Sequence, residues 1–242
     1  MSEAPATYGR QPLTKDRVLE AAVALADRDG IDAVSMRRLG QELGVEAMAM
    51  YRHVRDKNDL LAGIVESVIG EMPIPSSARE DRTAVESDWR ASMRELALGA
   101  RTVMLRHPWA PAVLVGRTEV GPATLRQVDA VLGILAGAGF PLETAHHALH
   151  VLGSRVFGFT QDPFDESTDA EADPAQSAAF ARAIAGTFPH VAELAVAATH
   201  GGALGGCDDE FEFRFGLDLI LDGLDRQRPA RPPGDAASMH TT

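Results

Sequence analysis

Between residues 35 and 57 the chain gathers side chains suited to binding a polyanion. Arg37, Arg38, Arg52, Arg55 and Lys57 stand there against Glu42, Glu46 and Asp56, a local excess of positive charge in a chain whose net charge is −12. Among them Arg52 and Lys57, with Tyr51, suit phosphate contacts, while Ala47 and Ala49 on either side of Met48 would let a helix approach base edges closely. The elements needed to present them can be read from the same stretch. Ser35 is a good N-cap, its hydroxyl placed to accept from a free backbone N–H of the first turn. The helix it opens carries Met36, Leu39 and Leu43 on one face, and Gly44 stops it where a left-handed residue is needed. After Val45 a second short helix is expected, from Glu46 to His53, with Met50 and Val54 turned inward. Two short helices joined by a tight glycine turn form a helix-turn-helix, whose second helix enters the DNA major groove. Its groove-facing positions are Ala47, Met48, Ala49, Tyr51, Arg52 and His53.

Flanking helices would support this pair. Thr14 caps the first, Asp16 sits well against its N-terminal dipole, and Val18, Leu19, Ala22, Leu25 and Ala26 repeat at helical spacing up to a stop at Gly30. Asp56 caps another, with Leu60, Leu61, Ile64, Val65, Val68 and Ile69 on its apolar side. That helix is the natural lever between a reading head over residues 13–71 and whatever follows. Pro73 and Pro75 forbid helix continuation and mark the boundary. The acidic total makes non-specific DNA a weak partner and requires two such faces acting together, with strong salt dependence.

The remainder reads as helices. A long one is expected from Thr83 to Arg106, with Trp89, Met93, Leu96, Ala100, Val103 and Met104 inward, and His107-Pro108 breaks it. A short apolar piece covers Ala110 to Val115. Pro122 opens a helix with Leu125, Val128, Val131, Leu132 and Leu135 inward, and Pro141 opens the next, to about Thr160. Further helices are expected over 174–185, 189–199 and 208–226. The last carries Phe211, Phe215, Leu219 and Leu224 with Leu217, Ile220 and Leu221 alongside, an apolar arc wide enough to need covering on two sides. No sustained period-two alternation occurs, so the fold class is all-α: a three-helix helix-turn-helix head and a larger helical domain over 78–227. Residues 1–12 read as a flexible arm, 161–173 as a mobile acidic loop and 228–242 as a disordered tail.

Other chemistry finds little support. His146 and His150 lie four apart on one helix, a spacing at which two imidazoles can share a metal, with His147 adjacent. No cysteine is near and only Glu143 could add a carboxylate, so neither a metal site nor a cofactor is assigned. Ser154 near a histidine lacks the elbow and orienting acid of a nucleophile, and phosphate-binding glycine patterns are missing. No enzyme is expected. The single Cys207, the lack of a signal peptide and the lack of an apolar run of about 20 residues point to a cytoplasmic chain with no membrane partner.

The run from Leu13 to about Ile69, with Gly44, Val45, Tyr51, His53, Val54 and Lys57 in register, resembles the N-terminal domain of the tetracycline-repressor (TetR) family of bacterial transcription regulators. More loosely, the later order of Gly116-Arg117, Gly139-Phe140-Pro141 and the final Phe-rich helix is similar to the ligand-binding and dimerisation region of the tetracycline repressors. The resemblance implies that Arg37 reaches a base edge or phosphate and that Tyr51 and Lys57 clamp phosphates. The DNA-contact set is then Ser35, Arg37, Ala47, Met48, Ala49, Tyr51, Arg52, His53 and Lys57. It also implies a homodimer in which the helix near Pro141 and the final helix pack on their symmetry mates, and a double-stranded operator with inverted-repeat symmetry. Tetracycline-binding members hold magnesium through a histidine just before the glycine pair. Here that position is Leu114, so a mainly apolar small-molecule effector without magnesium is expected. The candidate effector set is Trp89, Met93, Leu96, Ala100, Leu114, Leu132, His147, His150 and Phe157, large, small and polar types mixed as in a pocket, with Arg155 as a further polar contact. The expected function is a ligand-responsive repressor. The alternative is a DNA-binding regulator whose helical domain binds a protein or only dimerises.

Overall fold

The computed structural model describes residues 12–76, 82–115, 120–158, 174–197 and 209–229, leaving out the side chains of 82–87, 174, 176, 177 and 195–197. The expected arm (but for Pro12), the acidic loop 161–173, Gly116-Arg117 and the tail beyond residue 229 lie outside the described residues. Among the described residues every regular element is a helix: α1 (Lys15–Asp29), α2 (Met36–Leu43), α3 (Ala47–Met50), α4 (Lys57–Gly70), α5 (Arg82–Arg106), α6 (Ala110–Val115), α7 (Pro122–Gly137), α8 (Leu142–Gly158), α9 (Pro174–Ile184), α10 (Pro189–Ala197) and α11 (Asp209–Asp225), with a 3-10 turn at Ile31–Ala33. They gather into two compact units, Met1–Arg79 with Glu95–Val131 and Glu80–Arg94 with Leu132–Thr242, so α5 and α7 contribute to both.

In the first unit the expected caps form. Thr14 accepts from Arg17 N at 3.2 Å, Ser35 from Arg38 N at 3.3 Å and Asp56 from Asp59 N at 2.8 Å. Each satisfies one backbone donor that a helix start leaves free. Gly44 adopts φ 65, the left-handed stop expected of it. Val18, Ala22 and Leu25 of α1, Leu39 of α2, Met50 and Val54, and Leu60, Ile64, Val65 and Val68 of α4 are buried together with Val34. The second helix of the pair is shorter than the expected Glu46–His53. Regular α-helix ends at Met50, and Tyr51–His53 continue as a turn in which His53 N bonds the Met50 carbonyl at 2.8 Å. This three-residue closure tightens the end of the helix, as terminal turns often do.

Gly40 sets how closely α2 meets the turn. A Cβ there would lie 2.8 Å from the Val45 carbonyl oxygen, and that backbone is pinned by Val45 N donating to Gly40 O at 2.9 Å. Gly40→Ala therefore costs about 1–3 kcal/mol, the usual cost of overpacking a site that cannot relax. Denaturant unfolding monitored by circular dichroism checks this, and an unchanged midpoint would contradict it.

In the second unit α8 packs against α11. Phe213, Leu217 and Leu221 of α11 are fully buried, and Ala145, Ala148, Leu152 and Val156 of α8 are buried. Trp89 meets Phe140 edge to face, ring centres 4.9 Å apart. Two arginines one turn apart on α5 pair with acids on α11: Arg90 with Asp222 and Arg94 with Asp218. The hydrogen bond from Arg90 holds the Asp222 carboxyl below its ordinary range. Helices α9 and α10 form a hairpin around Ala181 and Ala192.

Two expectations need correcting. Helix α5 is not uninterrupted: at Asp88 the backbone leaves helical geometry (φ −148, ψ 47), and the Asp88 carboxylate caps the next turn by accepting from Ala91 N at 3.0 Å. An aspartate can supply its own cap, which is why it competes with helix interiors. Leu125, expected inward, is exposed, because α7 buries Ala123, Ala130, Val131, Ile134 and Leu135 instead.

Candidate DNA interface and its anchoring

The charged residues of the reading face divide into two groups. Arg38 is bound to Asp29 at 2.5 Å and Arg55 to Asp59 at 3.4 Å, so both serve the head's own structure. Arg37, Arg52 and Lys57 are exposed, and among the described residues their side chains have no ion pair or hydrogen bond. Those three carry charge outward. Met48 is 72% exposed and Tyr51 47% exposed, while Ala47, Ala49 and His53 are half-buried. Ser35 is held by its capping bond to Arg38 N, which leaves its hydroxyl proton free to donate. These positions fall on or beside α2, α3 and the start of α4, while Arg38 and Arg55, outside the expected contact set, are held by Asp29 and Asp59.

How the head is anchored was not anticipated. Asp27, near the end of α1, accepts from Trp109 Nε1 at 2.7 Å, and the same carboxylate oxygen lies 2.8 Å from His107 Nδ1. His107 Nε2 faces Glu71, just past α4, at 3.4 Å, and Arg106 pairs with Glu71 at 3.0 Å. His107 is buried at 6% exposure and Trp109 at 7%. One short segment after α5 therefore ties α1 and the end of α4 together. A second tie lies further back, within α4. Glu66 accepts from Ala123 N at 2.8 Å and from the Thr124 hydroxyl at 2.5 Å, capping the N-terminus of α7 where a carboxylate is favoured. The sequence signalled His107-Pro108 only as a helix break. A polar His and Trp beside a break, both needing partners if buried, were the available clue.

The candidate effector residues separate by exposure. Trp89, Met93, Leu96 and Ala100 form a buried stripe on α5, and Leu114, Leu132 and Phe157 are half-buried. His147 and His150, expected to line a pocket, are exposed. The buried positions of α8 are Ala145, Ala148, Leu152 and Val156, and 100° per residue puts both histidines on the opposite side. Arg155 also departs from expectation: its guanidinium lies 5.2 Å over the Phe213 ring and donates to the Glu212 carbonyl, so it is committed to α11. The His146 and His150 rings are edge to face at 4.6 Å, and Ser154 Oγ donates to the His150 carbonyl. Among the described residues no group of three His, Cys, Asp or Glu side chains is placed to hold a metal ion, and no helix is long and apolar enough to cross a membrane.

Comparison with known proteins bears on the whole chain. Residues 18–64 match the model of bacterial regulatory proteins of the tetR family, and 83–228 match the tetracyclin repressor-like C-terminal domain. The chain is 31% identical to the HTH-type transcriptional repressor DrrR1 of Streptomyces coeruleorubidus, over 91% of this chain and 80% of that one. It is 27% identical to the class C tetracycline repressor of Escherichia coli, over 89% and 92%. Among solved structures, a possible TetR family regulator from Streptomyces coelicolor A3(2) superposes with TM-score 0.69 at 31% identity, covering 88% of this chain and all of the other. Its relatives are transcriptional regulators, not enzymes. With a head and a body that both match and a relative this similar across most of its length, the chain belongs to the TetR family of bacterial transcription regulators.

Proposed function

We propose that the chain works as a homodimeric repressor that reads an inverted-repeat operator through α2, α3 and the start of α4 and leaves it when a mainly apolar small molecule binds. The observation that carries the DNA half is the division of the head's cations: Arg37, Arg52 and Lys57 point outward unpaired among the described residues, while Arg38 and Arg55 are used internally. The functional boundary falls at Pro73 and Pro75, with 13–71 reading DNA and 78–227 sensing and dimerising. A DNA operator puts its work in the cytoplasm. Lys57→Ala should weaken binding to every DNA sequence by a similar factor and lower the salt slope by about one. Salt titrations by fluorescence anisotropy measure both, and an unaltered slope would remove Lys57 from the phosphate contacts.

Dimerisation is supported by α11. Phe211, Phe215 and Leu219 repeat every four residues and are 61%, 53% and 56% exposed, opposite the buried Phe213, Leu217 and Leu221. Such a row is apolar surface that a second copy would cover. For the effector, the support is the apolar stripe Trp89, Met93, Leu96 and Ala100, together with the apolar Leu114 where the family resemblance would put a magnesium-holding histidine. A ligand must bind one head spacing better than the other, since equal affinity shifts nothing. Ala100→Trp, which would fill the proposed effector cavity, should abolish effector release while operator binding persists. A variant released at wild-type effector concentration would put the effector elsewhere.

A further inference from the structure

Within the described residues of the head, 12–76, the large apolar side chains left exposed are Met48 and Tyr51. Every other large apolar side chain there is at least partly covered, and Met50, two residues on, is fully buried. Met48 therefore projects from the side of α3 away from the core, in the same head that carries Arg37, Arg52 and Lys57 exposed. Tyr51 has a hydroxyl suited to phosphate. Met48 has none, and its thioether is at best a weak acceptor, so it cannot read the polar edge of a base. What it can read is apolar surface, and in the major groove the apolar group is the thymine C5-methyl. Its unbranched, polarisable chain suits the irregular spacing of methyls in a groove floor. Ala47 and Ala49 are too short and too covered to take this role.

Resting on the repressor reading above, we propose that Met48 is a specificity-determining residue that packs on thymine methyl groups, so that each operator half-site carries at least one thymine facing it.

The test uses the full-length chain and an operator selected from a random DNA pool. Each thymine of the half-site is replaced in turn by deoxyuridine, in both half-sites at once. This removes only the methyl and keeps base pairing. Affinity is read by fluorescence anisotropy at fixed salt. Burying one methyl predicts a loss of about fourfold per half-site, about fifteenfold for both, at one or two positions. Met48→Ala should bind the thymine operator as weakly as wild type binds the uracil operator, and should be indifferent to uracil at those positions. Met48→Leu should stay sensitive. Wild-type binding that ignores uracil at every position overturns the proposal, and so does a Met48→Ala variant that loses as much as wild type, since another residue then reads the methyl. The uracil scan on the unaltered chain needs no variant to fold. Failure to select any sequence overturns the repressor reading and this proposal together, whereas a selected operator without a uracil effect overturns the proposal alone.

Discussion

Leu217→Asp should abolish the folded chain, whereas Leu219→Asp, two residues away, should leave it folded and monomeric. Leu217 is 0% exposed on the buried side of α11, with Phe213 and Leu221 above and below it. Replacing it loses the leucine's burial, roughly 1.5–3 kcal/mol, and places a carboxylate in a position closed to water, which costs several kcal/mol more. The sum rivals the whole stability of a typical domain, about 5–15 kcal/mol. Leu219 is 56% exposed on the opposite side, beside the row formed with Phe211 and Phe215. A charge there is solvated in one copy but would be buried between two. Circular dichroism melts and analytical ultracentrifugation separate the outcomes. A Leu217→Asp chain with a wild-type melt would contradict the packing, and a dimeric Leu219→Asp chain would contradict the assembly.

Asp27→Ala should destabilise the head by about 2–4 kcal/mol and weaken its response to effector. The Asp27 carboxylate is the acceptor for the buried Trp109 indole and faces the buried His107 ring. Its removal leaves two buried polar groups without that partner, each costing on the order of 1–3 kcal/mol, with the sum reduced because the two share one oxygen. The contact also joins α1 to the segment after α5, and Glu71 joins the end of α4 to the same segment. A displacement of that segment would thus move two helices of the head together. Asp27→Asn keeps an oxygen for the indole and should lose less than Asp27→Ala. Denaturant midpoints and effector titrations of operator complexes check both halves. Equal effects from Asn and Ala would argue against the carboxylate oxygen as the essential contact.

What was legible in the sequence follows from range. Thr14, Ser35, Asp56 and Gly44 act within four residues of themselves, and each does in the structure what its type and position indicate. The apolar repeat of α1 and α4 gave the buried residues for the same reason. The apolar arc of α11 indicated two covered sides and included the buried Leu217 and Leu221 and the exposed Phe211, Phe215 and Leu219, but the fully buried Phe213 was not read as part of it. Contacts across long separations were illegible. Asp27 and Trp109 are 82 residues apart, and Glu66 and Thr124 are 58 apart, so no local pattern pairs them. His147 failed for a different reason: polar residues on α8 fit either a pocket or a solvent face, and only the buried stripe of Ala145, Ala148, Leu152 and Val156 decides between them. Asp88 is a cap that could have been read, hidden inside an otherwise continuous apolar repeat.

The most direct test of the central claim is selection of bound duplexes from a random DNA pool by the full-length chain, followed by stoichiometry on the selected site. The account predicts one enriched inverted repeat whose half-sites lie an integral number of helical turns apart, each about 34–36 Å, bound by two chains with an affinity that falls steeply with salt. An unenriched pool, or an asymmetric site bound by one chain, would contradict it.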